Sequence, residues 1–241
     1  LNLTEDSTYY LSARATDVAG NLSVVASGDG VTIDLTDPAG TIVNDGTGDD
    51  IAYTGSDSTL SAVWPAFTET ISGISKYEYA IGSSSGGTDV IDWTNNTTDT
   101  SVTKAGLTLS NGTTYYLSVR AADNVGNVST IVTSDGITID TDVPTISSVI
   151  EGSTTADIDY QNSDTTLIIV WTGSDTASGI AQYEYALGTA AAASNTVAWT
   201  NAGTSTADTL TGLNLTEDST YYLSARATDV AENLSVVASG D

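Results

Sequence analysis

The chain has 241 residues, and 31 acidic against 5 basic side chains give it a formal net charge of −26. A surface of that charge repels nucleic acid and anionic lipid, so neither is an expected partner. Cys, His and Met are absent, which leaves no disulfide framework, no zinc–thiolate site and no His base for a Ser nucleophile.

The N-terminal segment of the chain is also its C-terminal segment. Leu1–Asp29 recurs as Leu213–Asp241, and Glu232 in place of Gly20 is the one difference. A diverged copy, Leu107–Asp135, lies halfway between them. The repeating unit is therefore about 106 residues long, which is the size of a whole domain rather than of a solenoid turn.

We predict three segments: residues 1–37 are the C-terminal strands of a truncated repeat, 38–143 are a repeat, and 144–241 are a repeat truncated in its last strand. We expect the chain to be a piece of a longer tandem-repeat protein. Residues 1–34 would hold only the last two strands of a repeat, and a lone hairpin is marginal in water. The alternative is that a second molecule completes this repeat, as in a filament.

Short strands rich in Thr, Val, Ile and Tyr, separated by Ser/Gly/Asn/Asp clusters, run through both repeats, and no amphipathic helix appears. About seven strands in about 100 residues predict an all-β fold, a tandem array of antiparallel seven-stranded β-sandwich domains arranged as beads on a string. The strands predicted in chain order are Leu60–Trp64, Ile74–Gly82, Tyr115–Ala122, Thr145–Glu151, Leu167–Trp171, Ile180–Gly188, Val197–Thr200, Thr209–Leu215, Tyr221–Thr228 and a last strand after the Asp229–Asn233 turn.

Alternation along these strands predicts the core. In Ile180–Gly188 one face carries Ile180, Tyr183, Tyr185 and Leu187 after an offset at the start, because side chains two positions apart share a face. The residues expected to be buried are Trp64, Tyr77, Tyr79, Tyr115, Leu117 and Val119 in the first repeat, and Trp171, Tyr183, Tyr185, Tyr221, Leu223 and Ala225 in the second.

The pattern resembles a fibronectin type III domain over essentially the whole chain. Trp64 and Trp171 end the second strand, where that family keeps a core Trp, and the spacings Leu109 to Tyr115 and Leu215 to Tyr221 match its tyrosine corner. The segments ATDVAGNLS, AADNVGNVS and ATDVAENLS, followed by VTID or ITID and Pro, look like repeats of large bacterial surface proteins and adhesins, including Ig-like ones. The resemblance implies an extracellular, cell-surface location.

Acidic residues mark the linkers between repeats. In a fibronectin-like sandwich, the second-third and sixth-seventh strand loops lie at the pole where the chain enters, so acids from the linker and both loops are expected to converge. Flexible oxygen-rich loops suit Ca²⁺, which takes six to eight oxygen ligands. The alternative is that these Asp and Asn side chains only form turns. The candidate ligands are Asp34, Asp37, Glu69, Asp123, Asn127, Asp140, Asp142, Asp175, Asp229 and Asn233.

Two further kinds of surface site are candidates. Trp93 and Trp199 lie in matched DWTN and AWTN segments and could stack on a sugar ring, although a Trp on a short edge strand more often covers the flank of a sandwich. Asn-X-Ser/Thr sequons offer glycosylation sites, although Ser and Thr are common enough here for chance to supply several. The sequons begin at Asn2, Asn21, Asn95, Asn96, Asn111, Asn127, Asn214 and Asn233.

One turn position differs between the copies. Gly20, Gly126 and Glu232 occupy the same place before the last strand. If both glycines have positive φ, Glu232 must either accept strain or change the turn type.

These features favour a structural role, namely a stalk or filament region of an extracellular surface protein whose repeats contact neighbouring repeats and, in a filament, other copies. The alternatives are a carbohydrate- or protein-binding adhesin module and the accessory domains of a secreted polysaccharide-degrading enzyme. We do not expect an enzyme, since no carboxylate pair stands apart from the repeat.

Overall fold

The computed structural model describes residues 1–153 and 156–240, and every regular element among them is a β-strand. This confirms the predicted all-β class. None of the described residues forms a helix long and apolar enough to cross a membrane. Asp241, which closes the predicted third segment, lies outside the described residues.

The first part of the chain contains mostly short strands with two long ones. In chain order they are β1 (Thr8–Tyr9), β2 (Ser12–Ala13), β3 (Ala26–Ser27), β4 (Val31–Thr32), β5 (Asn44–Asp45), β6 (Tyr53–Thr54), β7 (Thr59–Val63), β8 (Ile74–Gly82), β9 (Ile91–Asn95), β10 (Ser101–Ala105), β11 (Thr114–Asp123), β12 (Val132–Thr133) and β13 (Ile137–Ile139).

The remainder has longer strands. They are β14 (Thr145–Ser153), β15 (Ala156–Asp157), β16 (Thr166–Ser174), β17 (Ile180–Gly188), β18 (Val197–Gly203), β19 (Ala207–Thr211), β20 (Tyr222–Asp229) and β21 (Ala238–Ser239).

Contacts divide the chain into two compact units. The first comprises residues 1–49, 61–103 and 116–135, and the second comprises residues 50–60, 104–115 and 136–241. The repeat boundaries at 37/38 and 143/144 stay predictions.

In the first unit, β8 is the central strand of one sheet. It pairs antiparallel with β9 and with residues 116–123 of β11. Facing it are Trp64 and Phe67, which pack edge-on against Tyr77 of β8 with ring centroids 5.8 and 5.3 Å apart. All three rings are buried, as predicted for Trp64 and Tyr77.

The second unit contains a two-sheet sandwich. One sheet has the order β15-β14-β16-β19 and the other the order β18-β17-β20-β21. A single apolar core joins them, with Trp171 of β16 and Leu223 of β20 both at 0% exposure. In the same unit, β13 pairs antiparallel with Thr114 and Tyr115 and parallel with β6.

The alternation predicted for the second repeat is correct along β17. Tyr183, Tyr185 and Leu187 are core residues, and Ile180 packs against them. The pairing of β17 with β20 shifts register between Ile180 and Gln182, where the sequence predicted an offset. The strand predicted at 209–215 is instead β19, which ends at Thr211, so its predicted C-terminal half is not strand.

Tyr221 corrects one core prediction, because it is only partly buried. Its counterpart Tyr115 is 6% exposed and lies opposite Ile137 of β13. Among the described residues, no strand pairs with Tyr221 as β13 pairs with Tyr115.

The repeated segment has different surroundings at its two positions. Residues 8–32 form two two-stranded sheets, β1-β4 and β2-β3, whose side chains are largely exposed. Leu11 is 82% exposed, whereas Leu223, at the matching position, is 0% exposed. Near-identical sequence therefore gives the same Asp-to-Asn turn but not the same burial, because burial depends on the strands that pack against the segment.

Candidate cation sites at the repeat linkers

Two groups of three acidic side chains share one arrangement. Each group has an Asp from a linker, an acid from a loop and an Asp from a turn, and in each the three residues offer carboxylate oxygens within 4.8 Å of one another. The groups are Asp34, Glu69 and Asp123, here called the first cluster, and Asp140, Asp175 and Asp229, called the second cluster.

The turn residue of each cluster ends a long strand. Asp123 closes β11, and its Oδ1 accepts backbone N–H groups from Val125, Gly126 and Asn127 at 2.7–3.0 Å. Its Oδ2 accepts the Asn127 side-chain N–H at 2.7 Å. Burial acts to raise the pKa of Asp123, but these hydrogen bonds outweigh it and hold the pKa below the ordinary value.

Asp229 repeats this turn at the end of β20. Its Oδ1 accepts the backbone N–H of Asn233 at 2.7 Å, and its Oδ2 accepts the Asn233 side-chain N–H at 2.9 Å. Both turn carboxylates are nearly inaccessible, with exposures of 3% for Asp123 and 1% for Asp229.

The loop acids order their own loops. Glu69 Oε1 accepts the backbone N–H groups of Ile71 at 2.6 Å and Ser72 at 3.2 Å. Asp175 Oδ2 accepts those of Ala177 at 3.2 Å and Gly179 at 2.7 Å. Each loop is therefore folded around its acid, as the turn-former alternative requires, while the other oxygen of each carboxylate is left for a further ligand.

Both linker acids are buried. Asp34 is 8% exposed and Asp140 is 0% exposed. Asp34 Oδ1 accepts the backbone N–H of Thr36 at 3.2 Å, and Asp140 Oδ1 accepts that of Asp142 at 3.1 Å. Placing a third carboxylate beside two others without a compensating charge is unfavourable.

The sequence analysis did not predict that the turn asparagines also hydrogen-bond to the linkers. Asn233 Nδ2 donates to the backbone carbonyl of Asp140 at 2.7 Å, and Asn127 Nδ2 donates to that of Asp34 at 3.3 Å. Since both amide nitrogens are engaged, only Oδ1 of each Asn remains to act as a metal ligand. The signal was the identical Asp-x-x-x-Asn spacing in all three copies of the turn.

Two predicted ligands lie outside both clusters. Asp37 and Asp142 are exposed, and Asp142 Oδ2 accepts the side-chain N–H of Asn111 at 2.9 Å. Neither belongs to the acidic groups found among the described residues. The reason for Asp142 lies in the local backbone conformation. Its N–H donates to Asp140 Oδ1, whereas its side chain extends towards Asn111.

A second feature recurs in every copy of the repeat, in the turn that precedes a strand. The hydroxyl oxygen of Tyr115 accepts the backbone N–H of Ser110 at 3.0 Å, and that of Tyr221 accepts the N–H of Thr216 at 3.0 Å. Tyr9 accepts the N–H of Thr4 at 2.8 Å. Each is a tyrosine corner, a hydrogen bond from the backbone to the Tyr hydroxyl that is typical of this kind of sandwich.

The repeats are fibronectin type III-like. The two-sheet sandwich, the core Trp and the three tyrosine corners together give this class, which the sequence pattern predicted.

Comparison with known proteins gives one relative by sequence. No protein-family model matches the chain. Exoglucanase B of Cellulomonas fimi is 31% identical over 247 aligned positions, which cover 97% of this chain and 20% of that protein. The chain therefore spans about a fifth of the length of this relative.

Three similar solved structures all have TM-scores below 0.5. The FN1–FN3 domains of chicken CNTN1 give a TM-score of 0.46 at 16% identity, covering 94% of this chain and 75% of theirs. The fibronectin(III)-like modules of Clostridium thermocellum CbhA give 0.48 at 13%, covering 82% and 91%. Domains of titin give 0.49 at 16%, covering 99% and 75%.

In these fibronectin type III-like repeats, each candidate sugar-stacking Trp lies against an Arg. The guanidinium carbon of Arg120 is 4.3 Å from the Trp93 ring centroid, and that of Arg226 is 4.4 Å from the Trp199 centroid. Each Arg also pairs with a Glu, Glu78 at 2.8 Å and Glu184 at 2.7 Å. The Arg therefore occupies part of each aromatic surface, and both Trp residues are partly buried.

The sequons divide by the exposure of their Asn side chains. Asn2, Asn21, Asn95, Asn111 and Asn214 are exposed. The partly buried ones are Asn96, Asn127 and Asn233, and the Nδ2 of each donates hydrogen bonds within the repeat. A glycan on any of these three would have to break those bonds.

Proposed function

We propose that this chain is a non-catalytic spacer of an extracellular, cell-surface protein, in which Ca²⁺ at each linker fixes the linker to the repeat that follows. The observation that carries the proposal is the recurrence of one acidic arrangement, linker Asp, loop acid and turn Asp, in both clusters. A site that recurs with the repeat serves the repeat, whereas catalytic centres are rarely duplicated in this way.

The ligand set favours calcium over other metals. Each cluster offers only oxygen atoms, and the sequence contains no His or Cys to favour zinc. Asp34 Oδ2 and Glu69 Oε2 are inaccessible to solvent and accept no hydrogen bond from the described residues. Buried anionic oxygens of this kind are stabilised by a cation.

The spacer role is supported by how the linkers are held. Each linker carbonyl is tied to the following turn by an Asn, at Asp34 and at Asp140. A cation bound to the same linker Asp and the same turn Asp would add to this tie. Near-identical segments at Leu1–Asp29 and Leu213–Asp241 suit a protein whose length matters more than its local sequence.

Hydrogen exchange on the full chain tests the calcium role. Backbone amides of residues 34–37 and 140–143 should exchange more slowly with Ca²⁺ than with chelator, because the bound cation fixes the linker. Amides of residues 185–187 in β17, which pair with residues 223–225 of β20 rather than with Asp229, are the internal control. Equal exchange in the linkers under both conditions would contradict the proposed role of calcium.

A second candidate function rests on the sequence relative. The alternative is that the repeats are accessory domains of a secreted polysaccharide-degrading enzyme, with Trp93 and Trp199 contacting glycan. The 31% identity to a protein called exoglucanase B supports it. Retention on insoluble cellulose that is lost in Trp93→Ala and Trp199→Ala would favour this function. The spacer account expects no retention of either the parent chain or the variants.

The partners proposed for the spacer are repeats like its own. They are neighbouring repeats of the same protein and, if filaments form, other copies of it. An adhesin role would add a protein or glycan ligand.

A further inference from the structure

The two clusters differ in one acid, and this changes their hydrogen bonds. The loop acid is Glu69 in the first cluster and Asp175 in the second. Both are followed by a loop of the same length that ends in Ser-Gly, at Ser72-Gly73 and Ser178-Gly179. The loops therefore offer the same backbone N–H groups to carboxylates that differ by one methylene.

The serine N–H goes to different acceptors in the two loops. In the first cluster, Ser72 N–H donates to Glu69 Oε1 at 3.2 Å. In the second, Asp175 accepts from Ala177 and Gly179 instead, and Ser178 N–H donates to Asp140 Oδ2 at 2.9 Å. The longer Glu69 side chain therefore accepts the serine N–H that, in the second cluster, is donated to the linker Asp.

The consequence is an unpaired linker oxygen in the first cluster. Asp34 is only 8% exposed, and its Oδ2 is inaccessible to solvent. This oxygen has no hydrogen-bond partner among the described residues. Glu69 Oε2 is in the same state. In the second cluster, both oxygens of Asp140 accept backbone hydrogen bonds.

We infer that the first cluster binds Ca²⁺ more tightly than the second and that the identity of the loop acid, Glu69 or Asp175, sets the difference. The inference rests on the proposed function. A cation at the first cluster satisfies buried oxygens that nothing else satisfies, whereas at the second it competes with backbone N–H groups that already neutralise part of the charge. One unpaired buried acceptor corresponds to about a tenfold difference in affinity. The two linkers therefore become fixed at different Ca²⁺ concentrations.

Calorimetric titration of the full chain with CaCl₂ tests this if the clusters are separated by isosteric variants. Asp140→Asn leaves the first cluster intact, and Asp34→Asn leaves the second. The double variant Asp34→Asn/Asp140→Asn measures binding elsewhere, which is subtracted. We expect Ca²⁺ to bind the first cluster about tenfold more tightly than the second.

Exchange of the loop acids tests the cause. Glu69→Asp in the Asp140→Asn chain should weaken binding by about tenfold, and Asp175→Glu in the Asp34→Asn chain should strengthen it. Glu217→Asp and Asp159→Glu make the same changes at exposed positions and should alter neither affinity. Unchanged circular dichroism establishes that each variant is folded.

The outcomes separate the inference from the proposed function. Equal affinities at the two clusters, a reversed order, or exchanges without effect would overturn the inference and leave calcium binding in place. No binding above that of the double variant, in either single variant, would overturn both.

Discussion

Glu232 has φ = 71° at the turn position where Gly126 has φ = 101°. The third copy, Gly20, has φ = 87°, so the turn keeps its left-handed residue in all three places. Of the two possibilities that the sequence left open, the structure shows that Glu232 accepts the strain and the turn type is retained. A Cβ at Gly20 or Gly126 would meet no atom within 4 Å, so the cost lies in the backbone conformation alone.

Glu232→Gly should therefore stabilise the second repeat. A side chain in the left-handed region costs about 1 kcal/mol, and the greater freedom of Gly in the unfolded chain offsets part of that gain. Urea unfolding should show a higher midpoint for Glu232→Gly, and the converse Gly126→Glu should lower it. If Glu232→Gly lowers the midpoint, the Glu side chain makes a stabilising interaction that outweighs the strain.

Trp171 should be the most sensitive core position. It is fully buried, packs 5.4 Å from Tyr185 between ring centroids, and its Nε1 has no hydrogen-bond partner among the described residues. Trp171→Ala should cost about 3–5 kcal/mol in free energy of unfolding. Trp171→Phe should cost less, because it keeps an aromatic ring and removes the unpaired N–H. Trp199→Ala, at a partly buried position, is the matched comparison, and a larger loss there would contradict the core assignment.

How far the sequence predicted this fold depends on the element. Strong alternation located β17 at Ile180–Gly188 without error, since one face is buried and the register is thereby specified. Tyr221 was placed in the core because it shares a face with Leu223, but its burial depends on a covering strand such as β13 rather than on its own strand. The same limit explains Leu11, which is exposed where Leu223 is buried.

The candidate site was only partly predictable. The resemblance to fibronectin type III domains placed Asp140, Asp175 and Asp229 at one pole, and the structure brings them together. The role of Asn233 and the redirected Ser178 N–H were not predictable, because both depend on loop backbone conformation and on one methylene of side-chain length. Whether these carboxylates bind calcium stays a prediction.

The Asn tie can be measured separately from any cation. Asn233→Ala removes the hydrogen bonds from Nδ2 to the Asp140 carbonyl and to Asp229 Oδ2, which should cost about 1–3 kcal/mol with chelator present. Asn21→Ala is the matched control, since Asn21 makes the same bond to Asp17 in an exposed copy of the turn. Chemical unfolding in which the two variants lose equal stability would show that the linker contact contributes nothing.

Asp123 should make stability fall in acid. Its pKa is lowered from 3.8 in the folded chain, so its contribution is fully present above the unfolded pKa and is lost as the pH falls through the lower folded pKa. With chelator present, Asp123→Asn should therefore lose less stability than the parent chain between about pH 5 and pH 3. Asp159→Asn, at an exposed position, should follow the parent curve. Parallel curves for all three proteins would exclude Asp123 as a source of acid sensitivity.

Small-angle X-ray scattering of the full chain, first with Ca²⁺ and then with chelator, tests the calcium-fixed spacer most directly. Three carboxylates within 4.8 Å repel one another without a cation, so the linkers should loosen when Ca²⁺ is removed. We expect the distribution of interatomic distances to broaden in chelator, and the Asp34→Asn/Asp140→Asn variant to give one curve under both conditions. Identical curves for the parent chain with and without Ca²⁺, together with an unchanged melting temperature, would contradict the account and leave the acids as ordinary turn residues.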